Sequence, residues 1–268
     1  MKAARLLREK LADPDRVVTG VLATFHFWPG LVELAQRAGL DYLIIDLEHL
    51  THDHTAIAEA CAIGRRADFP IFIRPPAAEF TPLRLAMDLG PCGLLVPCVE
   101  SLDTMRIIQD AVWMPPRGRR RPGGPGNFWL EDFHYETWRT TVEDHFIVLP
   151  QIETRAGLAS VEAIAAHPLT TAIAVGPYDL SADLGCCWQP GSPDHRDALA
   201  RIRQAGEAVG KPMWMIGDGP TLVREGYRFL CITEPVLFLQ GKLAELDRQT
   251  RAALGSAAET PAESTPLP

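Results

Sequence analysis

The stretch "DYLIIDLEHL" (41–50) decides how the rest of the chain is read. Its first half is a continuous apolar run, the pattern of a strand covered on both faces, as strands of parallel sheets are. Its second half carries Asp46, Glu48 and His49, three titratable groups at the end of that run. In parallel α/β folds the C-terminal ends of the strands open on the ligand site. One strand therefore suggests both a fold class and a place for chemistry.

Similar runs recur along the chain. Strands are expected at 17–24, 41–48, 71–76, 93–99, 146–153, 171–177, 211–217 and 227–233. Helices are expected between them at about 30–38, 53–66, 79–89, 101–112, 154–166, 194–209, 218–225 and 236–251, with "SPDHRD" (192–197) supplying a clear N-cap signal. Eight strand–helix repeats favour a closed TIM (β/α)8 barrel over an open doubly wound sheet, and the 268 residues suit the roughly 250 typical of that domain. No GxGxxG follows the first strand, which weakens the dinucleotide-fold alternative. The expected organisation is one α/β domain over 1–254, including a short amphipathic N-terminal helix, and a tail over 255–268 whose composition does not support order.

Composition sets further bounds. Hydrophobic residues at 47% and charged residues at 22% are the balance of a soluble chain able to bury a sizeable core. A net charge of −8 argues against nucleic acid or an anionic membrane as partner, since both select a basic face. The cysteines at 61, 92, 98, 186, 187 and 231 form no CxxC pair, so they are expected as reduced residues of a cytoplasmic protein. No run of about 18 apolar residues suggests a membrane span, and the N-terminus lacks the apolar core of a signal peptide.

The polar residues fall in a pattern. Asp46 and Glu48 share a strand face, and His49 emerges where the strand ends. Arg74 ends the third strand, Gln151 and Glu153 share a face at the end of the fifth, and Asp179 follows the sixth in "VGPYDLSADLG" (175–185). Singly, such residues are commonly helix caps or surface groups; converging from four strands on one rim, they point to a site. Glu153 and Asp179 offer two hard oxygen ligands for Mg2+ or Mn2+, leaving positions for water and a chelating 2-oxo acid. A metal there would stabilise an enolate as a Lewis acid, Arg74 would add fixed positive charge, and His49 could act as the base. The alternative, a Schiff base, needs a lysine at the mouth. Lys2, Lys10, Lys211 and Lys242 are the only lysines, and none is placed to reach it.

The ordered set "IDLEH" (45–49), "IRPP" (73–76), "MDLG" (87–90), "LLVPCVES" (94–101), "PPRGRR" (115–120), "PQIETRAGL" (150–158) and "VGPYDLSADLG" resembles the HpcH/HpaI aldolases over about 18–250. These are class II pyruvate aldolases of the phosphoenolpyruvate/pyruvate barrel superfamily. The resemblance implies a lyase that cleaves a 4-hydroxy-2-oxo acid reversibly to pyruvate and an aldehyde through a metal-bound pyruvate enolate. It implies Mg2+, Mn2+ or Co2+ as cofactor and no Schiff-base lysine. His49 resembles the acid/base, Asp88 the residue that pairs with and orients it, and Arg74 the group on the pyruvate keto oxygen. Gln151, Pro177 and Tyr178 match substrate contacts, Glu153 and Asp179 the metal ligands, and Asp46 and Glu48 carboxylates near the metal waters. Family members form homo-oligomers, hexamers or trimers, with a last helix exchanged between neighbours, here 236–251. "PPRGRR" then suggests an anion-binding or subunit-contact role for Arg117, Arg119, Arg120 and Arg121. Two departures, the cluster Phe25, His26, Phe27, Trp28 and the segment "CITEPVLF" (231–238), bear on the aldehyde side of the pocket. The alternatives are an acyl-CoA lyase of citramalyl or malyl type on the same barrel, and a non-catalytic keto-acid-binding barrel.

Overall fold

The computed structural model describes residues 1–257 apart from 122, 188 and 190. Eight parallel strands, β1 (Val18–Ala23), β2 (Tyr42–Asp46), β3 (Ile71–Arg74), β4 (Gly93–Val96), β5 (Ile147–Ile152), β6 (Ile173–Val175), β7 (Met213–Ile216) and β8 (Phe229–Cys231), follow one another around a closed barrel. The pairing Val18↔Phe229 through Gly20↔Cys231 shuts β8 against β1. All eight expected strands are present, each trimmed by one to three residues at an end.

The helices are α1 (Lys2–Ala12), α2 (Leu31–Arg37), α3 (His54–Arg66), α4 (Phe80–Asp88), α5 (Leu102–Val112), α6 (Tyr135–Thr141), α7 (Arg155–Ala159), α8 (Val161–Ala166), α9 (Pro177–Asp183), α10 (Pro193–Glu207), α11 (Gly219–Arg224) and α12 (Pro235–Ala257). The expected helix 154–166 breaks into α7 and α8 at Ser160, while α6 and α9 are additions to the expected set. Among the described residues no helix is long and apolar enough to cross a membrane.

Alternation along each strand sorts side chains between the barrel interior and the helix layer. Tyr42 of β2 points inward and packs against Phe72 and Phe229, at ring separations of 5.4 and 5.2 Å. Its hydroxyl donates to the Leu230 carbonyl at 2.7 Å and accepts from Trp214 Nε1 at 2.8 Å, so the buried phenol and indole are both satisfied. Gly20 faces this ring, and any Cβ there would overlap it. Two positions on from Ile44 the same face of β2 ends in Asp46, which makes the upper rim of the interior polar while its floor is aromatic.

The ends of the barrel differ. α1 covers the N-terminal end, burying Ala3, Ala4 and Leu7, with Arg8 donating to the carbonyls of His145 at 3.0 Å and Phe146 at 2.6 Å. α12 instead starts against β1 and then presents apolar side chains to solvent, with Leu237, Phe238, Leu239, Leu243 and Leu246 each 53–59% exposed. It runs to Ala257, past its expected end at 251, and the rest of the expected tail, 258–268, lies outside the described residues.

Candidate active site

The C-terminal rim gathers side chains from β1, β2, β3, β5 and the start of α9. Asp46 and Arg74 are direct partners in the β2–β3 register, so both reach the rim at one height. Arg74 Nε donates to Asp46 Oδ1 at 2.8 Å and Nη2 to Oδ2 at 2.5 Å, a two-pronged pair in which both side chains are buried. The remaining acceptor positions of Asp46 are filled by Thr24 Oγ1 at 2.8 Å and the Glu48 backbone N–H at 2.9 Å. Four donors exhaust a carboxylate's lone pairs. Asp46 is thus saturated and holds Arg74. Burial would raise the pKa of Asp46, but the Arg74 hydrogen bonds and charge outweigh it and the net shift is downward. Burial likewise opposes the Arg74 charge, and Asp46, Glu48 and Glu153 together reverse that and hold it protonated.

β2 ends at Asp46, so Glu48 and His49 lie in the turn that follows rather than on the strand. Glu48 Oε2 lies 3.1 Å from Arg74 Nε, yet the donor is already aimed at Asp46, and Oε2 is a buried oxygen with no hydrogen bond. Burial pushes the Glu48 carboxyl up, with Asp46 and Asp179 adding to it against the pull of Arg74 and His49. His49 projects from the turn, its side chain 55% exposed and Nε2 3.8 Å from Glu48 Oε2.

Glu153 is the carboxyl pushed furthest from its ordinary value among the described residues. It is 3% exposed, and its Oε2 accepts from the Cys98 backbone N–H at 2.9 Å and the Cys98 thiol at 3.3 Å, while Oε1 takes the Gln151 amide. Burial first, then the charges of Glu48 and Asp179, push its carboxyl up to about 7. The Gln151 carbonyl oxygen is a second buried acceptor without a donor. Gly176 lies directly against this pair, so that a Cβ would collide with Glu153 Oε1 and the Gln151 amide. Pro177, at the first position of α9, is buried; Tyr178 and Asp179 in the same turn are exposed.

Sequence reasoning missed Thr24 and Cys98. Thr24 carries no signal beyond its place two residues after Leu22, on the inward face. Cys98 has φ +49, an uncommon conformation for a side-chain-bearing residue, and that geometry aims its N–H at Glu153. Nothing in "VPCVE" announces it. Asp88 ends α4, which runs back from the rim, and its carboxylate binds Arg84 at 3.2 Å and Arg120 at 3.3 Å. Among the described residues no contact joins it to His49 within the chain.

The arginine-rich loop divides in two. Arg117 pairs with Glu143 at 3.3 Å and Asp144 at 2.7 Å and stacks 3.8 Å from the Trp113 ring, and Arg120 is fully buried against Trp138. These two hold the loop to the barrel, whereas Arg119 and Arg121 turn outward. The four lysines lie elsewhere: Lys2 and Lys10 pair with Asp68 and Asp41, Lys211 donates to the carbonyls of Ala165 and His167, and Lys242 pairs with Glu245.

Among the described residues no group of three or more His, Cys, Asp or Glu closes into a ready-made metal cage. What the rim offers is an oxygen-only set, Glu153 and Asp179, with the unfilled oxygens of Glu48 and Gln151 beside it. Oxygen donors in mutually repelling carboxylates fit a hard divalent cation that keeps part of its water.

The HpcH/HpaI aldolase/citrate lyase model matches residues 26–216. A hydroxypyruvate/pyruvate aldolase of Roseovarius nubinhibens is 33% identical over 84% of this chain and 87% of its own length. A 4-hydroxy-2-oxovalerate aldolase of Rhodococcus jostii is 33% identical over 69% of this chain and 74% of its own. The crystal structure of an HpcH/HpaI aldolase/citrate lyase family protein from Burkholderia cenocepacia, 27% identical, superposes with a TM-score of 0.81 over 92% of this chain and 99% of that one. The chain belongs to the HpcH/HpaI aldolase/citrate lyase family, and its fold is the family's (β/α)8 barrel.

Proposed function

We propose that the chain is a divalent-metal-dependent pyruvate aldolase, cleaving a 4-hydroxy-2-oxo acid reversibly to pyruvate and an aldehyde. The observation that supports it is a charge deficit: Asp46, Glu48 and Glu153 act on the single guanidinium of Arg74, Asp179 adds its negative charge to Glu48 and Glu153, two buried oxygens are unfilled, and Glu153 is pushed up to about 7. Glu153 and Asp179 would hold the cation, with Glu48 and Gln151 turned to its waters. A bound divalent cation would supply Lewis-acid polarisation of the keto group.

The chain's own residues account for the rest. Arg74 is fixed by Asp46 through Nε and Nη2, which leaves Nη1 for the keto oxygen of the substrate. His49 takes the proton of the 4-hydroxyl; the C3–C4 bond breaks, the aldehyde leaves, and the electron pair moves onto the keto oxygen, where Arg74 stabilises the charge. A proton returned to C3 completes pyruvate. Asp46 is a positioning residue for Arg74, and the Cys98 N–H positions Glu153.

Assembly belongs to the same reading. The start of α12 and the outer face of α2 enclose an apolar groove of about 420 Å3 lined by Leu31, Leu34, Ile232, Phe238 and Leu239, and beyond it the apolar side chains of α12 are exposed. An exposed apolar helix beside an exposed apolar groove on one chain fits exchange of α12 with a second copy in a homo-oligomer. A monomer by light scattering would contradict that part.

The test of the activity is a screen of pyruvate with aldehydes in the presence of Mg2+, Mn2+ or Co2+, with product identification. A 4-hydroxy-2-oxo acid product supports the reading. Irreversible inactivation by borohydride in the presence of pyruvate would instead point to a lysine Schiff base.

A further inference from the structure

We propose that the chain carries a second binding site, for a small metabolite bearing two or more oxyanion groups, in the cavity between α4 and the arginine-rich loop. This cavity has a volume of about 560 Å3 and is lined by Phe80, Arg84, Pro115, Arg119 and Arg121. That is the size of an ordinary small-molecule pocket. No residue of the rim lines it, and neither does any carboxylate.

The positive charge there is under-compensated. Arg84 leans on Asp88 at 3.2 Å, but the same carboxylate also receives Arg120 at 3.3 Å. Arg120 is fully buried, and its Nε and Nη1 find no acceptor, so one carboxylate is divided between two guanidinium groups. Arg119 reaches Asp110 only at 3.5 Å, with 72% of its side chain exposed. Arg121 has no ion pair among the described residues. Exposed pairs of this kind contribute at most about 1 kcal/mol, so stability does not explain three arginines around one hollow.

The residue type narrows the ligand. Guanidinium forks match the planar or tetrahedral oxygens of carboxylates and phosphates in pairs, which single ammonium groups do not. The Phe80 ring, 5.3 Å from the Arg119 guanidinium carbon, gives that fork a surface to lie on. With a net charge of −8 the chain as a whole repels polyanions, so attraction at this place has to be local. The site does not depend on the aldol reaction: it lies on the outer side of the barrel, away from Arg74 and Glu153.

The test is calorimetric titration of the purified chain, stripped of metal and then dialysed free of chelator, using pyrophosphate as the phosphate probe and citrate as the carboxylate probe. The comparison is the Arg119→Glu/Arg121→Glu double variant, whose fold is checked by circular dichroism, together with Arg121→Lys. We expect one site per chain for at least one probe, weakened by salt and by about tenfold or more in the double variant, with Arg121→Lys intermediate and pyruvate binding, measured separately with Mg2+ present, unchanged. The stronger probe identifies the oxyanion class. Absence of binding by both probes, or equal affinity in the double variant, would overturn the proposal. So would a change in sedimentation without a change in affinity, which would make the loop a contact between copies instead.

Discussion

Replacing Glu153 by glutamine should make the metal-free protein more stable at alkaline pH, although it removes the acid on which the site is built. In the folded chain the carboxyl is 3% exposed, and burial, reinforced by Glu48 and Asp179, pushes it up from 4.5 to about 7. A raised acid binds its proton more tightly folded than unfolded, so stability is fully present below about pH 4.5 and is lost as pH rises through 7. A difference of about 2.5 units at about 1.4 kcal/mol each gives a penalty of about 3.5 kcal/mol at pH 8. Glutamine keeps the shape and the oxygen that accepts the Cys98 N–H. Its amide can donate to the Gln151 carbonyl oxygen, now unfilled, if Gln151 turns over. We expect Glu153→Gln to raise the melting temperature in EDTA at pH 8 by about 7–14 °C, at about 2–4 °C per kcal/mol for a domain of this size, and the gain to shrink towards pH 5. Added Mg2+ should raise the melting temperature of the unmodified chain at pH 8 and not that of the variant. A variant less stable at pH 8, or a difference independent of pH, would refute the reasoning.

Three further substitutions probe the same rim. Arg74→Met strands Asp46 as a buried, uncompensated carboxylate and should destabilise the fold by about 3–5 kcal/mol in urea titration, with aldolase turnover lost. His49→Ala removes an exposed side chain that makes no hydrogen bond, so melting temperature and pyruvate affinity should hold while kcat falls by about two to four orders of magnitude. Gly176→Ala places a methyl against Glu153 and Gln151 at an unstrained φ of −94°; it should weaken divalent-cation affinity by calorimetry and destabilise by about 1–3 kcal/mol.

The barrel was legible because its strands are covered on both faces and therefore read as continuous apolar runs, of which "DYLII" and "FIVLP" are the clearest. The rim residues followed from counting along those runs, since a strand's period places Asp46, Arg74, Gln151 and Glu153 without knowledge of their neighbours. What escaped depends on pairing across space. Asp46 is identical in sequence whether it faces water or Arg74, and only the β2–β3 register shows that its four acceptor positions are filled. Cys98 acts through a backbone conformation that no side-chain type signals. Asp88 sits at the far end of α4, among Arg84 and Arg120, a placement that its motif alone does not show. α9 could have been found, since Pro177 at its first position is a helix-start residue; it was read as the end of a strand because "TAIAVGP" is apolar up to that proline.

The central claim is that this rim makes pyruvate give up a methyl proton, whatever aldehyde it later meets. Proton NMR of pyruvate in D2O tests it without knowledge of the partner. With Mg2+ present the methyl signal should decay with the unmodified chain at a rate proportional to enzyme concentration, and the decay should stop after EDTA and be absent in Glu153→Gln. Exchange that persists undiminished in EDTA, or no exchange with any divalent cation supplied, would contradict the account.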